Sequence, residues 1–428
     1  MIILKTLWNS IRAIFRKEKI WKKTFFALCL ANLFIASRFF LIHFEYNEVL
    51  SFCVQWSWIP SSVILLVIMY GEVLTRHRLK RLFISEGFVD NKEKTPDYIK
   101  TTKSNAYLEK VCFKSKIHPN NWEKFKDTLE MFYEKKIYRL KENPEDITKM
   151  DVLLIDEQLP RYIEWNDAFL LDECKFVIGE GFEEKSVWDA SVLHHGIISG
   201  STSSGKTALL RVILHQAILK QNYIVHVLDF KGGSDYASIE KEYIKHNNLK
   251  NEFGGKVISE PEEARNLLTS LKLEVEERMA SFKRAGVTNI KEYNSGSLQK
   301  KYILLVIDEA AEILDVKPKN SEDKLLYSDI DQTLRTLART ARAAGINIIF
   351  GLIRPDSNVI DGQIKNNLLW RVCGYFKDPA ASGIVLDNDL ATTLPPEIKG
   401  RFIVGEDEVQ AYYLPIPKHN GACDDGEP

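Results

Sequence analysis

Apolar positions along the chain fall into three regimes. Two long apolar runs come first, a stretch of helical period follows, and the second half alternates short apolar bursts with longer helical segments. Val49 to Gly71 carries no charged residue and is long enough to cross a bilayer, which takes about 20 residues as a helix. Its Trp56, Trp58 and Tyr70 suit the membrane interface. Phe25 to Phe44 is also long enough but contains Arg38, which must snorkel or pair. Leu82 to Thr102 is polar and reads as a linker. In Asn121 to Lys136, Trp122, Phe125, Leu129 and Phe132 share one face at helical spacing, predicting an amphipathic helix. Ile137–Leu140 and Val152–Ile155 read as strands beside it.

From Phe176 to Leu414, strands and helices alternate in the manner of a parallel sheet covered on both faces. The predicted strands are His195–Ser199, Tyr223–Leu228, Ile303–Ile307, Ile346–Gly351 and Leu368–Val372, each dense in Ile, Val and Leu as doubly buried strands are. Arg401–Val404 and Val409–Leu414 are expected as edge strands. Five segments result: a membrane anchor over 1–81 with two transmembrane helices, a linker over 82–104, a small α+β subdomain over 105–183, an α/β core over 184–416, and a disordered tail over 417–428.

Charge sharpens the membrane reading. The whole chain is balanced, with 58 Lys and Arg against 59 Asp and Glu, and so names no partner. Its distribution is informative: Lys5, Arg12, Arg16, Lys17, Lys19, Lys22 and Lys23 precede the apolar runs, Glu45 and Glu48 separate them, and Arg76, Arg78, Lys80 and Arg81 follow. This basic–acidic–basic order is that of a hairpin in the cell membrane with both termini cytoplasmic. The 6 cysteines are scattered without a C-x-x-C pair, which argues against a zinc site or a disulfide framework.

Gly200-Ser201-Thr202-Ser203-Ser204-Gly205-Lys206-Thr207 fits the pattern G-x-x-x-x-G-K-[ST]. A predicted strand, His195–Ser199, leads into it and a predicted helix, Ala208–Leu219, leaves it, which is the context this motif requires. The glycines let successive N–H groups turn inward onto phosphates, and the helix N-terminus adds partial positive charge. The pattern assigns nucleotide binding to residues 200–207, with Lys206 on the β- and γ-phosphates of ATP and Thr207 on Mg²⁺.

Tyr302–Ile307 is an apolar run ending in Asp308 and Glu309. In a phosphate-loop enzyme such acids complete the chemistry: Asp308 holds the Mg²⁺ shell, and Glu309 polarises the attacking water as general base. A cation from a neighbouring subunit adds to phosphoryl transfer, and Arg339, Arg342, Arg354 and Arg371 are the candidates. Asp229-Phe230-Lys231-Gly232-Gly233, after the second core strand, falls where ligands bind in such folds and reads equally well as a plain turn.

These segments together resemble the motor domain of FtsK/SpoIIIE-type DNA translocases. Besides the phosphate loop, the resemblance rests on Glu277-Arg278-Met279, on Gly286 through Ile290 with Tyr293-Asn294, on Ala341-Arg342-Ala343-Ala344-Gly345-Ile346, and on Arg354-Pro355 with Val359-Ile360, Gly362 and Ile364-Lys365. It covers Phe176 to Leu414 and implies a RecA-like P-loop ATPase core. Carried over, Lys206 and Thr207 are the nucleotide and Mg²⁺ residues, Asp308 and Glu309 the catalytic acids, and Arg342 the arginine finger. The loop from Asp356 to Lys365 would face a central pore, with Lys365 contacting DNA. A homohexameric ring acting on double-stranded DNA is implied.

Two departures stand out. Ile353 occupies a position where the family usually has Gln, and the chain ends without room for an orientation-reading winged helix. With the membrane hairpin, this resembles the conjugation coupling proteins of Gram-positive mobile elements, whose partners would be a relaxase and secretion-channel subunits. A chromosome-segregation pump and a protein-secretion ATPase are the alternatives.

Overall fold

The computed structural model describes residues 75–241, 257–296, 299–318, 320–356, 359 and 362–415. Both runs of the expected membrane hairpin, and the tail from 417, lie outside these. Among the described residues no helix is long and apolar enough to cross a membrane. The chain divides into two compact units between Gln158 and Leu159.

In the first unit, β1 (Asp97–Lys103), β2 (Leu108–Lys114), β3 (Ile137–Asn143) and β4 (Asp146–Ile155) form an antiparallel sheet in the order β1-β2-β4-β3. The stretch expected as one amphipathic helix is two, α1 (Pro119–Lys124) and α2 (Lys126–Tyr133), meeting at Phe125. The break lets Trp122, Phe125 and Leu129 all enter one aromatic core, where Phe125 stacks on Phe88 with ring centroids 4.3 Å apart. The segment read as a linker is also structured. A helix over 75–85 and strand β1 occupy part of it, because Phe83 and Tyr98 are buried in the same core. Its polar composition reflects the exposed positions between these anchors.

The second unit is built on a ten-stranded mixed sheet. Its strands are β5 (Lys175–Gly181), β6 (Lys185–Asp189), β7 (His195–Ser199), β8 (Tyr223–Leu228), β9 (Val257–Ile258), β10 (Tyr302–Ile307), β11 (Ile346–Leu352), β12 (Trp370–Gly374), β13 (Arg401–Val404) and β14 (Asp407–Ala411). The order is β6-β5-β14-β13-β12-β7-β11-β10-β8-β9. From β12 to β9 neighbours run parallel; from β12 to β6 they run antiparallel.

The sheet therefore departs from the sequence expectation in two ways. Strands β13 and β14 are interior, because the hairpin β5–β6 pairs onto β14 and supplies the edge. That hairpin straddles the expected boundary at 183/184, and the boundary between units lies at 158/159 instead. Isolated hairpin strands carry no sign of which sheet they will join.

Successive residues of β10 face two different cores, as its unbroken apolar run requires. Ile303, Leu305 and Ile307 pack with helices α4 (Pro261–Ala285) and α5 (Ser321–Thr340), while Leu304 and Val306 pack toward helix α3 (Lys206–Lys220). Helix α3 buries residues around most of its circumference, including Leu209, Leu210, Ile213 and Leu214. Gln216 on this helix both accepts from Val177 N–H (2.9 Å) and donates to Val177 O (2.8 Å), tying α3 to β5. Arg278, one of the motif residues on α4, is buried and donates to Ala344 O at 2.8 Å, so its part is structural.

Candidate nucleotide site

The phosphate loop sits between β7 and α3, as its pattern predicts. Gly205 adopts φ +98°, and a Cβ there would run into the Gly400 backbone 2.8 Å away. Only glycine combines that conformation with that approach. Ser203, at φ +68°, occupies the left-handed region as a non-glycine residue, a strain of about 1–2 kcal/mol that the surrounding loop must offset. Gly400 N–H donates to Ser204 O at 2.8 Å, and Ser201 N–H donates to Tyr375 O at 3.3 Å, so the loop is braced by the residues that follow β12 and precede β13.

Strand β11 lies between β7 and β10, and its end joins the two halves of the site. Leu352 O accepts from Gly200 N–H (3.2 Å) and from the Ser199 hydroxyl (3.0 Å) on one side. On the other, Ala310 N–H donates to Gly351 O at 2.9 Å. Gly351 permits this close approach, since a Cβ there would overlap the Asp308 carbonyl.

This arrangement brings together four of the residues singled out in the sequence. Lys206 Nζ donates to Asp308 Oδ1 and to Asp308 O, each at 2.5 Å, and lies 3.9 Å from Glu309 Oε2. The Thr207 hydroxyl is 3.5 Å from Asp308 Oδ2. Lys206, Asp308 and Glu309 are all buried, at 6%, 4% and 5% exposure; such charges are tolerable only because they neutralise one another. An ammonium bonded to the loop-facing acid, beside a hydroxyl, marks a cation-attracting oxygen set. Thr207 and Asp308 thus fit Mg²⁺, which usually takes few protein oxygens and completes its shell with water and phosphate.

Glu309 is held by groups that the sequence did not reveal. Ile353 N–H lies 3.2 Å from both carboxylate oxygens, and Lys231 Nζ is 3.4 Å from Oε2. The backbone thus supplies a donor at the position where a glutamine side chain was expected. Side-chain patterns carry no trace of a main-chain donor. Lys231 was visible only as part of the Asp229–Gly233 segment, whose paired glycines mark a turn.

The remaining candidates lie elsewhere. Arg342 is exposed, and its charge acts on His194 and His195 at the start of β7, the end remote from the phosphate loop. It stands away from the phosphate loop of its own chain. Arg339 is exposed in the last turn of α5, and exposed Arg354 follows Ile353 directly. Lys365 and Arg371 share one carboxylate: Lys365 Nζ is 2.6 Å from Asp387 Oδ1, and Arg371 donates to Oδ2.

The family model of FtsK/SpoIIIE matches residues 171–300, spanning the phosphate loop. The pCW3 conjugation coupling protein TcpA, in a monomer form with ATPγS, is 32% identical; the match covers 79% of this chain and 95% of that one, with a TM-score of 0.57. The chain belongs to the FtsK/SpoIIIE ATPase family. The DNA translocase FtsK of Sporosarcina ureae is 26% identical over 274 residues, and that of Streptococcus pneumoniae 26% over 249. These matches take in 56% and 51% of this chain but only 32% and 30% of the two FtsK proteins. The chain therefore spans about a third of those relatives. Its FtsK/SpoIIIE core is the α/β phosphate-loop fold described above, with a mixed sheet.

Proposed function

We propose that the chain is a membrane-anchored, ATP-driven translocase of double-stranded DNA, working as a homohexameric coupling protein that delivers DNA to a conjugative transfer channel. The observation that carries the ATPase part is the convergence of Lys206, Thr207, Asp308 and Glu309 on one buried point. Support for the DNA part comes from the FtsK and TcpA relatives. The anchor rests on the two apolar runs and the charges that flank them.

The chain's own groups divide the work. Lys206 supplies the cation for the β- and γ-phosphates, leaving its present partner Asp308 as they enter. Thr207 and Asp308 would hold Mg²⁺, which, when bound, offsets the negative charge of the phosphates. Glu309, fixed by Ile353 N–H and Lys231, takes the proton of the attacking water at a carboxylate oxygen. Arg342, remote from its own phosphate loop, acts across a subunit boundary onto the site of a neighbouring copy. Lys365 reaches DNA once Asp387 releases it, and contacts of this kind follow the backbone rather than the bases.

The test is ATP hydrolysis by the purified chain with and without double-stranded DNA. Turnover raised by DNA and abolished in Lys206→Ala is the expected result. A rate indifferent to DNA across a salt series would point to a protein cargo, and turnover surviving in Lys206→Ala would overturn the ATPase reading.

A further inference from the structure

Strand β8 lies beside β10, and Asp229-Phe230-Lys231-Gly232-Gly233 turns away from its carboxyl end. Buried Asp229 donates its N–H to Ile258 O at 2.9 Å. Its Oδ1 accepts from Lys231 N–H (3.0 Å) and its Oδ2 from Gly233 N–H (3.1 Å). Gly232 at φ +102° and Gly233 at φ +73° complete the reversal. The backbone beneath Lys231 is thereby pinned, and its side chain alone decides what the ammonium meets.

That ammonium is the exposed member of the buried group. The Lys231 side chain is 44% exposed, while Glu309, whose Oε2 it meets at 3.4 Å, is 6% exposed. Lys206 Nζ lies 3.9 Å from the same oxygen. The two ammonium nitrogens are therefore no more than about 7 Å apart. One phosphoryl group bridges such a span through charge-assisted bonds of about 2.7–2.9 Å. An ammonium carries three donors. Glu309 occupies one of those on Lys231, which leaves the others for a second anion.

We propose that Lys231 is a second phosphate cation, binding a γ-phosphate oxygen of its own chain's ATP while it still holds Glu309. In hydrolysis the water oxygen bonds to the γ-phosphorus and Glu309 takes a water proton. The bond to the β–γ bridging oxygen breaks, and its electron pair leaves with ADP. Lys231 offsets the charge that shifts over the γ-phosphoryl oxygens in that step. The inference rests on the ATPase reading of Lys206 and Glu309. It gives the site a preference for ATP, because ADP lacks the group that Lys231 binds.

The test is Lys231→Met in the full chain, which keeps most of the side-chain stem and removes the charge, beside Lys231→Arg, which keeps the charge. Affinities for ATPγS and for ADP are read by competition with a fluorescent nucleotide, and turnover by phosphate release. Lys231→Met should bind ATPγS about tenfold or more weakly, the loss of one hydrogen bond to a charged group. Its affinity for ADP should stay within about twofold. Turnover should fall by about two orders of magnitude, as when one donor to transition-state charge is removed. Lys231→Arg should keep the preference for ATPγS. Turnover that falls with both affinities unchanged overturns the proposal and leaves Lys231 only positioning Glu309. Equal losses for the two nucleotides overturn it too, as does a loss in Lys231→Arg as large as in Lys231→Met. A wild-type chain that binds neither nucleotide overturns the ATPase reading, and this inference with it.

Discussion

The Lys206 ammonium and the Asp308 carboxylate, 102 positions apart in the chain, meet at 2.5 Å in a buried pocket where each is the other's principal counter-charge. Removing one partner of such a pair strands the other, typically at about 3–5 kcal/mol. Lys206→Ala should therefore lower the unfolding free energy of the ligand-free chain by an amount of that order. Adding Asp308→Asn to it should restore most of the loss. Urea denaturation of the four species of the cycle measures both, and a purely additive cycle would contradict the pairing.

Glu309 is expected to act in the chemical step alone. Glu309→Gln keeps the side-chain volume and an oxygen acceptor for Ile353 N–H, whose distance to the carboxylate is 3.2 Å. Nucleotide affinity should stay within about threefold, while turnover falls by roughly two orders of magnitude or more, the usual contribution of a general base. Phosphate release assayed beside equilibrium nucleotide binding separates the two effects.

At Gly351 the absence of a side chain holds the site together. Gly351→Ala forces a methyl into the Asp308 carbonyl, so β10 and β11 must part where Glu309 meets Ile353. Overpacking of a rigid core typically costs about 1–3 kcal/mol. The variant should lose both stability and turnover, whereas Gly383→Ala, where nothing lies within 4 Å of the added methyl, should retain its turnover. Thermal unfolding and ATP hydrolysis compared across the two variants check this.

Acid should unfold the second unit through two buried histidines. Burial, with lesser contributions from His194 and Arg342, holds His195 down to about 3, and burial alone holds His226 down to about 4. The unfolded chain protonates both near pH 6.5 while the folded chain does not, so stability is full above that pH and declines as pH falls toward the folded values. At pH 5 each should cost about 2 kcal/mol. Urea titrations at pH 7.5 and pH 5 measure the loss, and His226→Gln should remove about half of it.

Asp387 is a latch on Lys365, the proposed DNA contact, and on Arg371. It sits at φ +64°, a conformation asparagine tolerates, and Lys365 and then Arg371 hold its carboxyl below the usual range. Asp387→Asn keeps the turn and frees both cations. Affinity for random-sequence duplex DNA should rise, and the salt dependence of log K should steepen by about one to two units, close to 0.9 per added phosphate contact. Fluorescence anisotropy over a salt series reads both quantities.

Most of the core sheet is legible in the order of residues along the chain. Strands β7, β8, β10 and β11 fall within a residue or so of their predicted bounds, because doubly buried strands must be unbroken apolar runs. The single helix expected over 121–136 failed because period shows which face is apolar, not where the chain bends to bury it. The edge assignment of β13 and β14 failed because strand order depends on long-range pairing that no local pattern encodes.

For the site, the sequence alone determined the reacting groups. The spacing of Gly200, Gly205, Lys206 and Thr207, and the acids closing an apolar strand, are local facts written in residue type. Tertiary structure alone decided that β11 stands between the two halves, that Ile353 contributes its amide rather than its side chain, and that Lys231 turns toward Glu309. Those contacts arise from backbone donors and from chain segments brought together by sheet order, and neither leaves a mark in the identity of neighbouring residues.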